Sequence, residues 1–401
     1  WAVDLDNAQV PCGPKLCDAQ NMQYSVIISN TKNKNAKVTI STGAGKVSQH
    51  LIPPLGLKVI NLPDPAWGLA KPLSLDGTSI TTNAYRISSS VPIVAYQFNP
   101  LANDLVFSND ASLLLPTNVI GNEYYVMTRQ QNHSNLRGYL TVIGVQKTGT
   151  TVQILPSCKT LPGKDLQGKS IPGLQKGQLL KVTLGQGEVL NLESNENGGD
   201  LTGSRIIADA PVAVFAGSEG SNVPDTNKCV KAPGQAKGVC QFQGWPCATN
   251  KDCPVTCCAD HLEEQLFPVK AWGNVYVASK FKKRGLEKDV WRILAGTDNT
   301  VVTTIPQQVP AKSLKKGEWF EFESATDFEI KASHPVMVGH FMTSANAPDP
   351  KNDECTGKFS GYKVCKHHIS SLPDENKCTK AAGAKEGKCS AGGWPTCSTD
   401  S

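Results

Sequence analysis

The chain has 401 residues, room for about two to four domains with real buried cores. Forty Lys and Arg against 35 Asp and Glu leave a mild net charge of +5, spread along the chain, which argues against a nucleic-acid partner. No apolar run approaches the ~20 residues of a transmembrane helix, and the 14 cysteines, all but Cys158 in close groups, point to an oxidising compartment.

From the start, which reads as a mature or trimmed one, the periodicity is that of short strands. Tyr24–Ile28, Lys37–Ile40, Tyr139–Ile143, Thr151–Ile154 and Val301–Ile305 are β-branched and bounded by turn signals such as Thr148-Gly149, Gly185-Gln186-Gly187 and Asp298-Asn299. With 35 Gly and 26 Pro, long helices are not expected. The one helical candidate is Asp260 as N-cap followed by His261–Leu266, stopped before Pro268. The basic run Lys280-Phe281-Lys282-Lys283-Arg284 reads as a solvated strand end.

Internal repetition organises the chain. A Pro-led strand closes each β unit: Val91-Pro92-Ile93-Val94-Ala95, Ala210-Pro211-Val212-Ala213-Val214 and His334-Pro335-Val336-Met337-Val338. The residues one and three after each proline are expected on one buried face. A second signature, P-x4-G-N-x-Y, opens a unit at Pro116…Tyr124 and again at Pro268…Tyr276, its glycine read as a positive-φ turn. Roughly seven strands per unit predict an all-β fold: tandem immunoglobulin-like β-sandwiches with disulfide-rich insertions. A propeller of four-stranded blades is the alternative. The expected boundaries are 1–108 and 109–221 (β units 1 and 2), 222–259 (Cys-rich module), 260–345 (β unit 3) and 346–401 (Cys-rich tail).

The cysteines repeat as well. Cys229, Cys240, Cys247, Cys253, Cys257 and Cys258 are separated by 10, 6, 5, 3 and 0 residues, uneven for a zinc ribbon and suited to a disulfide knot of three internal bonds. Pro224-Asp225-Thr226-Asn227-Lys228-Cys229 with Gly244-Trp245-Pro246 returns as Pro373-Asp374-Glu375-Asn376-Lys377-Cys378 with Gly393-Trp394-Pro395, carrying Cys389 and Cys397. This second copy stops at Ser401, so a continuation, or cysteines from another chain, is expected. Cys12 with Cys17, and Cys355 with Cys365, are the expected short-loop bridges; Cys158 stands apart as free or paired across modules.

Trp1-Ala2-Val3-Asp4-Leu5-Asp6-Asn7, Tyr96-Gln97-Phe98-Asn99-Pro100-Leu101 and Asn109-Asp110-Ala111-Ser112-Leu113-Leu114-Leu115-Pro116 together resemble the IgG Fc-binding protein N-terminal domain family, most closely its bacterial, surface-anchored members, over residues 1 to about 345. The resemblance implies a secreted or surface-attached protein with a binding or structural role. The Cys-rich modules depart from that pattern.

No catalytic constellation is expected. Ala216-Gly217-Ser218-Glu219-Gly220 lacks the first glycine of a nucleophile elbow, and no phosphate-cradling glycine loop follows a buried strand. Cys365, His367 and His368 lack a fourth metal ligand at a usual spacing, and His340 is a strand residue facing solvent or a hydrogen-bond partner. No cofactor is expected; Ca2+ is the one candidate ion, through Asp4-Leu5-Asp6-Asn7 or Asp349…Asn352-Asp353-Glu354. Asn132-His133-Ser134 is a glycosylation sequon. The predicted function is a non-catalytic extracellular or cell-surface binding and adhesion protein, its partner a protein or glycan on another surface. The alternative is a structural subunit of an extracellular filament, sheath or surface layer, whose partners are copies of itself.

Overall fold

The computed structural model of the protein describes residues 1–12, 15–69, 72–102, 109–133, 135–224, 229–232, 234–240, 246–249, 253, 259–282, 288–344, 378–379 and 388–389, with backbone alone at 11, 12, 15–17, 378, 379, 388 and 389. The fold is all-β. One six- or seven-strand pattern occurs three times. The first set comprises β1 (Ala2–Val3), β2 (Tyr24–Asn30), β3 (Ala36–Thr42), β4 (Val47–Ile52), β5 (Leu57–Leu62), β6 (Ala84–Ser89) and β7 (Ile93–Asn99), with β8 (Asp110–Leu113) added beside β7. The second comprises β9 (Gly121–Tyr125), β10 (Gly138–Gly144), β11 (Thr150–Leu155), β12 (Leu180–Leu184), β13 (Val189–Glu193) and β14 (Arg205–Ser221), with β15 (Asp260–Gln265) added beside β14. The third comprises β16 (Gly273–Ala278), β17 (Asp289–Ala295), β18 (Thr300–Ile305), β19 (Lys312–Leu314), β20 (Trp319–Ser324) and β21 (Phe328–Phe341).

In the first set the back sheet runs β1-β6-β3-β4 and the front sheet β8-β7-β2-β5. Alternation puts Val26, Ile28 and Ile60 of the front sheet against Val38, Ile40, Ile52 and Tyr85 of the back in one buried cluster. The pairings repeat: β10 lies between β13 and the second half of β14, β17 between β20 and the second half of β21. The sandwich has immunoglobulin-like architecture with its own strand order, and face-to-face packing rules out the propeller of blades.

The three prolines mark one place in this pattern. Ile93, Val212 and Val336 stand opposite Asn30, Gly144 and Ala295, the last residues of β2, β10 and β17. Three residues before the prolines, Ser89, Ala208 and Ala332 still pair with the back sheet. The chain therefore crosses from back sheet to front sheet at each proline, where a missing N–H removes no ladder bond. A turn precedes Pro92; β14 and β21 run straight through Pro211 and Pro335. Val212 and Val214 are both buried, and Val336 and Val338 share the third core.

The opening signature locks onto this crossing. Gly121 N–H donates to Tyr124 Oη (2.9 Å), and that hydroxyl donates to the carbonyl of Val212 (2.8 Å). Gly273, Tyr276 and Val336 repeat the relay at 2.8 and 2.7 Å. The spacing of the P-x4-G-N-x-Y motif thus places a phenol where it fastens the first strand to the crossing. Neither Gly121 nor Gly273 has the positive φ expected of a turn. A side chain at Gly121 would run into Pro268, which is what requires glycine there.

The expected helix after Asp260 is the strand β15. His261, Glu263 and Gln265 are buried on one side and Glu264 is exposed on the other, so the segment obeys a period of two. Its buried side is polar because it meets polar partners in the first set, and that concealed the alternation from a reading based on apolar residues.

Candidate binding surfaces and the joints behind them

The front sheet of each later set is covered on its outer face by the set before it. On the second set, Tyr139, Ile143, Val189, Ala213 and Phe215 pack in one apolar cluster with Ala2, Val3, Leu5 and Leu75. On the third, Leu294, Trp319, Met337 and Phe341 pack with Tyr125, Met127 and Trp272. A side chain at Gly339 would strike the Met127 sulfur, so glycine lets the two sets close.

Each joint also carries buried polar groups. In the first, Gln97 Nε2 donates to Glu263 Oε1 (3.0 Å), Glu263 N–H to Asp110 Oδ2 (2.9 Å), and Gln265 N–H to Ser112 Oγ (2.7 Å). In the second, Arg129 and Arg292 are the largest fully buried side chains among the described residues. Arg292 donates through Nη1 to Thr128 O (2.6 Å) and Asp200 Oδ2 (2.7 Å) and through Nε to Glu321 Oε2 (3.0 Å). Its guanidinium lies 3.9 Å from the centre of the Trp319 ring, and Arg129 shares Glu321 at 2.8 Å.

The first joint holds a carboxylate cluster. Asp6, Glu193 and Glu219 are all buried, with donor oxygens within 4.8 Å of one another. Burial, then Glu193, pushes Asp6 well above the carboxylate range; the two are in hydrogen-bonding contact, which requires a proton between them. Burial and the Glu193 charge push Glu219 up to about 8. The cluster can carry its charge by holding protons or by taking a cation. Of the proposed calcium residues it contains Asp6. Asp4 turns elsewhere, its Oδ2 buried without a partner, and Asn7 bonds to Asn99. Asp349–Glu354 lies outside the described residues. Glu193 and Glu219 had no signal in the sequence, being separate from Asp6 and from each other along the chain.

Cys229–Cys247 and Cys240–Cys253 are disulfides, with Cα separations of 5.8 and 5.3 Å; Cys229, Cys240 and Cys247 lie on three short strands, Cys229–Val230, Gly238–Cys240 and Pro246–Cys247, and Cys253 lies beyond them. Oxidised sulfurs take no zinc. Val230 and Val239 face each other across these strands, both exposed. Cys378 pairs with Cys389 in backbone register as Cys229 does with Cys240, so the later copy repeats the ladder. Cys158 is free and buried, its thiol pushed up to about 12 by burial. Cys257, Cys258, Cys355, Cys365, Cys397, His367 and His368, and the Cys12 and Cys17 side chains, lie outside what is described.

Ser218 is buried inside β14, away from the exposed turn a nucleophile needs. His340 is a hydrogen-bond partner: Nε2 meets Asp289 Oδ2 at 2.8 Å, with the ring stacked between Phe281 and Trp291 at 3.8 and 3.7 Å. Among the described residues no helix is long and apolar enough to cross a membrane.

Stacked β-sandwiches carrying a disulfide-stapled knob define a class of protein built for an oxidising, extracellular setting. The chain belongs to the IgGFc binding protein family, which matches residues 110–359. It is 25% identical to the human IgGFc-binding protein over 315 residues, 78% of this chain and 5% of that far longer protein. A solved tetra-tandem repeat from the extending region of a large adhesion protein aligns over 82% of this chain and 71% of its own, at 10% identity and a TM-score of 0.09, too low to bear on the fold.

Proposed function

We propose that this chain is an extracellular, non-catalytic binding and adhesion protein that takes a protein or glycan ligand presented on another surface. Membership of the IgGFc binding protein family carries the reading, and the human relative's name makes immunoglobulin Fc the first ligand to try. The knob supplies a contact: Val230 and Val239 form an exposed apolar pair on strands held by two disulfides, so little conformational freedom is lost on binding. Attachment to a cell surface, and the bacterial setting the motifs suggest, belong to the same proposal. The test is saturable binding of immobilised protein to Fc fragments, mucin-type glycoproteins and deglycosylated controls. Val230→Asp with Val239→Asp should weaken capture at least tenfold while the fold persists. Binding to none of these ligands would sink the reading.

The structural alternative has one observation of its own. The same joint is built twice within the chain, as a subunit of an extended assembly requires.

A further inference from the structure

Counted from the prolines, Leu57, Val59 and Tyr96 of the first front sheet stand at the same register as Val189, Asn191 and Phe215 of the second. In the third set the same positions are Trp319, Glu321 and Gly339. In the second and third sets this outer face is roofed by the set before; in the first it is open, and Leu57 is 63% exposed. An apolar row of this kind on a sheet face marks an interaction site.

The covering half of the joint is open too. Trp1 and Tyr125 occupy one register, and each ring lies against a glycine of the following set, Gly187 and Gly317, two residues before β13 and β20. Both glycines have left-handed backbone, φ +84 and +80. In the third set the position of Trp1 and Tyr125 is Val277, 87% exposed. In the first set the position of the glycines is Leu55, also left-handed at φ 55 and 71% exposed. Sizes are therefore exchanged at the open surfaces. A large ring meets glycine inside the chain, whereas a small valine and a leucine remain outside.

We infer that these two surfaces are halves of a third joint, made between molecules: the third set of one copy, through Val277, covers the first front sheet of another at Leu55, Leu57, Val59 and Tyr96. The contact is heterologous, one patch meeting a different patch, so it propagates head to tail and does not close as a symmetric pair. It stands apart from ligand binding by the knob.

The test is sedimentation of the 401-residue protein across a wide concentration range. The average mass should rise continuously with concentration, without a stop at the dimer. Val59→Lys with Tyr96→Lys, and separately Val277→Lys, should each hold the protein monomeric at concentrations where the parent associates. These side chains are exposed, so both variants should keep the parent circular dichroism. Mixed together, the two variants should form a one-to-one pair and nothing larger, because each keeps the half the other lost. A parent that stays monomeric at every concentration, association unaffected by either variant, or a mixture without the pair would overturn the inference. Ligand capture by the monomeric variants should match the parent, which separates failure here from failure of the binding reading.

Discussion

Glu219 and Glu263 sit where water does not reach, and burial raises both to about 8. A raised carboxyl pKa means the folded state holds its proton while the unfolded chain has released it. That contribution is full below the unfolded value of about 4.5 and is lost as pH climbs toward the folded one. His261 opposes the trend at lower pH: burial takes it down to about 4, so folding is penalised below about 6.5. Between pH 6.5 and 8 the glutamates act without that opposition, and the melting temperature should fall across this interval. Glu219→Gln should flatten the slope; a wild-type melting temperature constant over the window would contradict the protonated cluster. A chelator should leave melting at pH 8 unchanged, whereas a cation held by Asp6, Glu193 and Glu219 would make it fall. Tyr124 offers a second residue-scale check. Tyr124→Phe leaves the Gly121 N–H and the Val212 carbonyl short of a buried partner, which should cost about 1–3 kcal/mol in denaturant unfolding.

At the scale of elements, Arg292 ties β17 to the loops of the second set by touching Thr128 and Asp200, while Glu321 of the neighbouring β20 holds its Nε. Removing one member of a buried charge network strands the others, so Arg292→Met should cost about 3–5 kcal/mol. Arg292→Lys should recover only part, because one ammonium cannot span the same acceptors. The knob behaves differently. Its core is the cluster of Cys240, Cys247 and Cys253, so reduction should open it to protease locally while the sandwiches remain folded. Limited proteolysis with and without reductant, read by mass spectrometry, checks this; simultaneous collapse of the sandwiches would show that the knob props the joint.

For the whole molecule, the joints are so continuous with the cores that the first cluster runs from Ala2 to Phe215 without a break between sets. Unfolding should therefore be one cooperative calorimetric transition across the first two sets, and a fragment 109–221 alone should aggregate, since Tyr139, Ile143 and Phe215 lose their cover. Two resolved transitions, or a well-behaved isolated fragment, would refute that coupling.

Strand periodicity, the three prolines and the two tyrosine signatures were legible in the sequence because each is a local pattern: alternation follows from the pleat, proline from its missing N–H, and the motif spacing from one strand and its turn. The cysteine clusters likewise announced an oxidising compartment by number and closeness. What only the tertiary structure decided lies between sets. Asp6, Glu193 and Glu219 become one cluster, Arg292 finds three partners, and Glu263 and Gln265 sit on the buried side of a strand because the preceding set supplies what they hydrogen-bond to. Contacts made across a joint join residues far apart in the chain, and their chemistry depends on burial that no local pattern encodes. For the same reason Leu57 and Val189 read alike as strand valines and leucines, and only stacking leaves one exposed and buries the other.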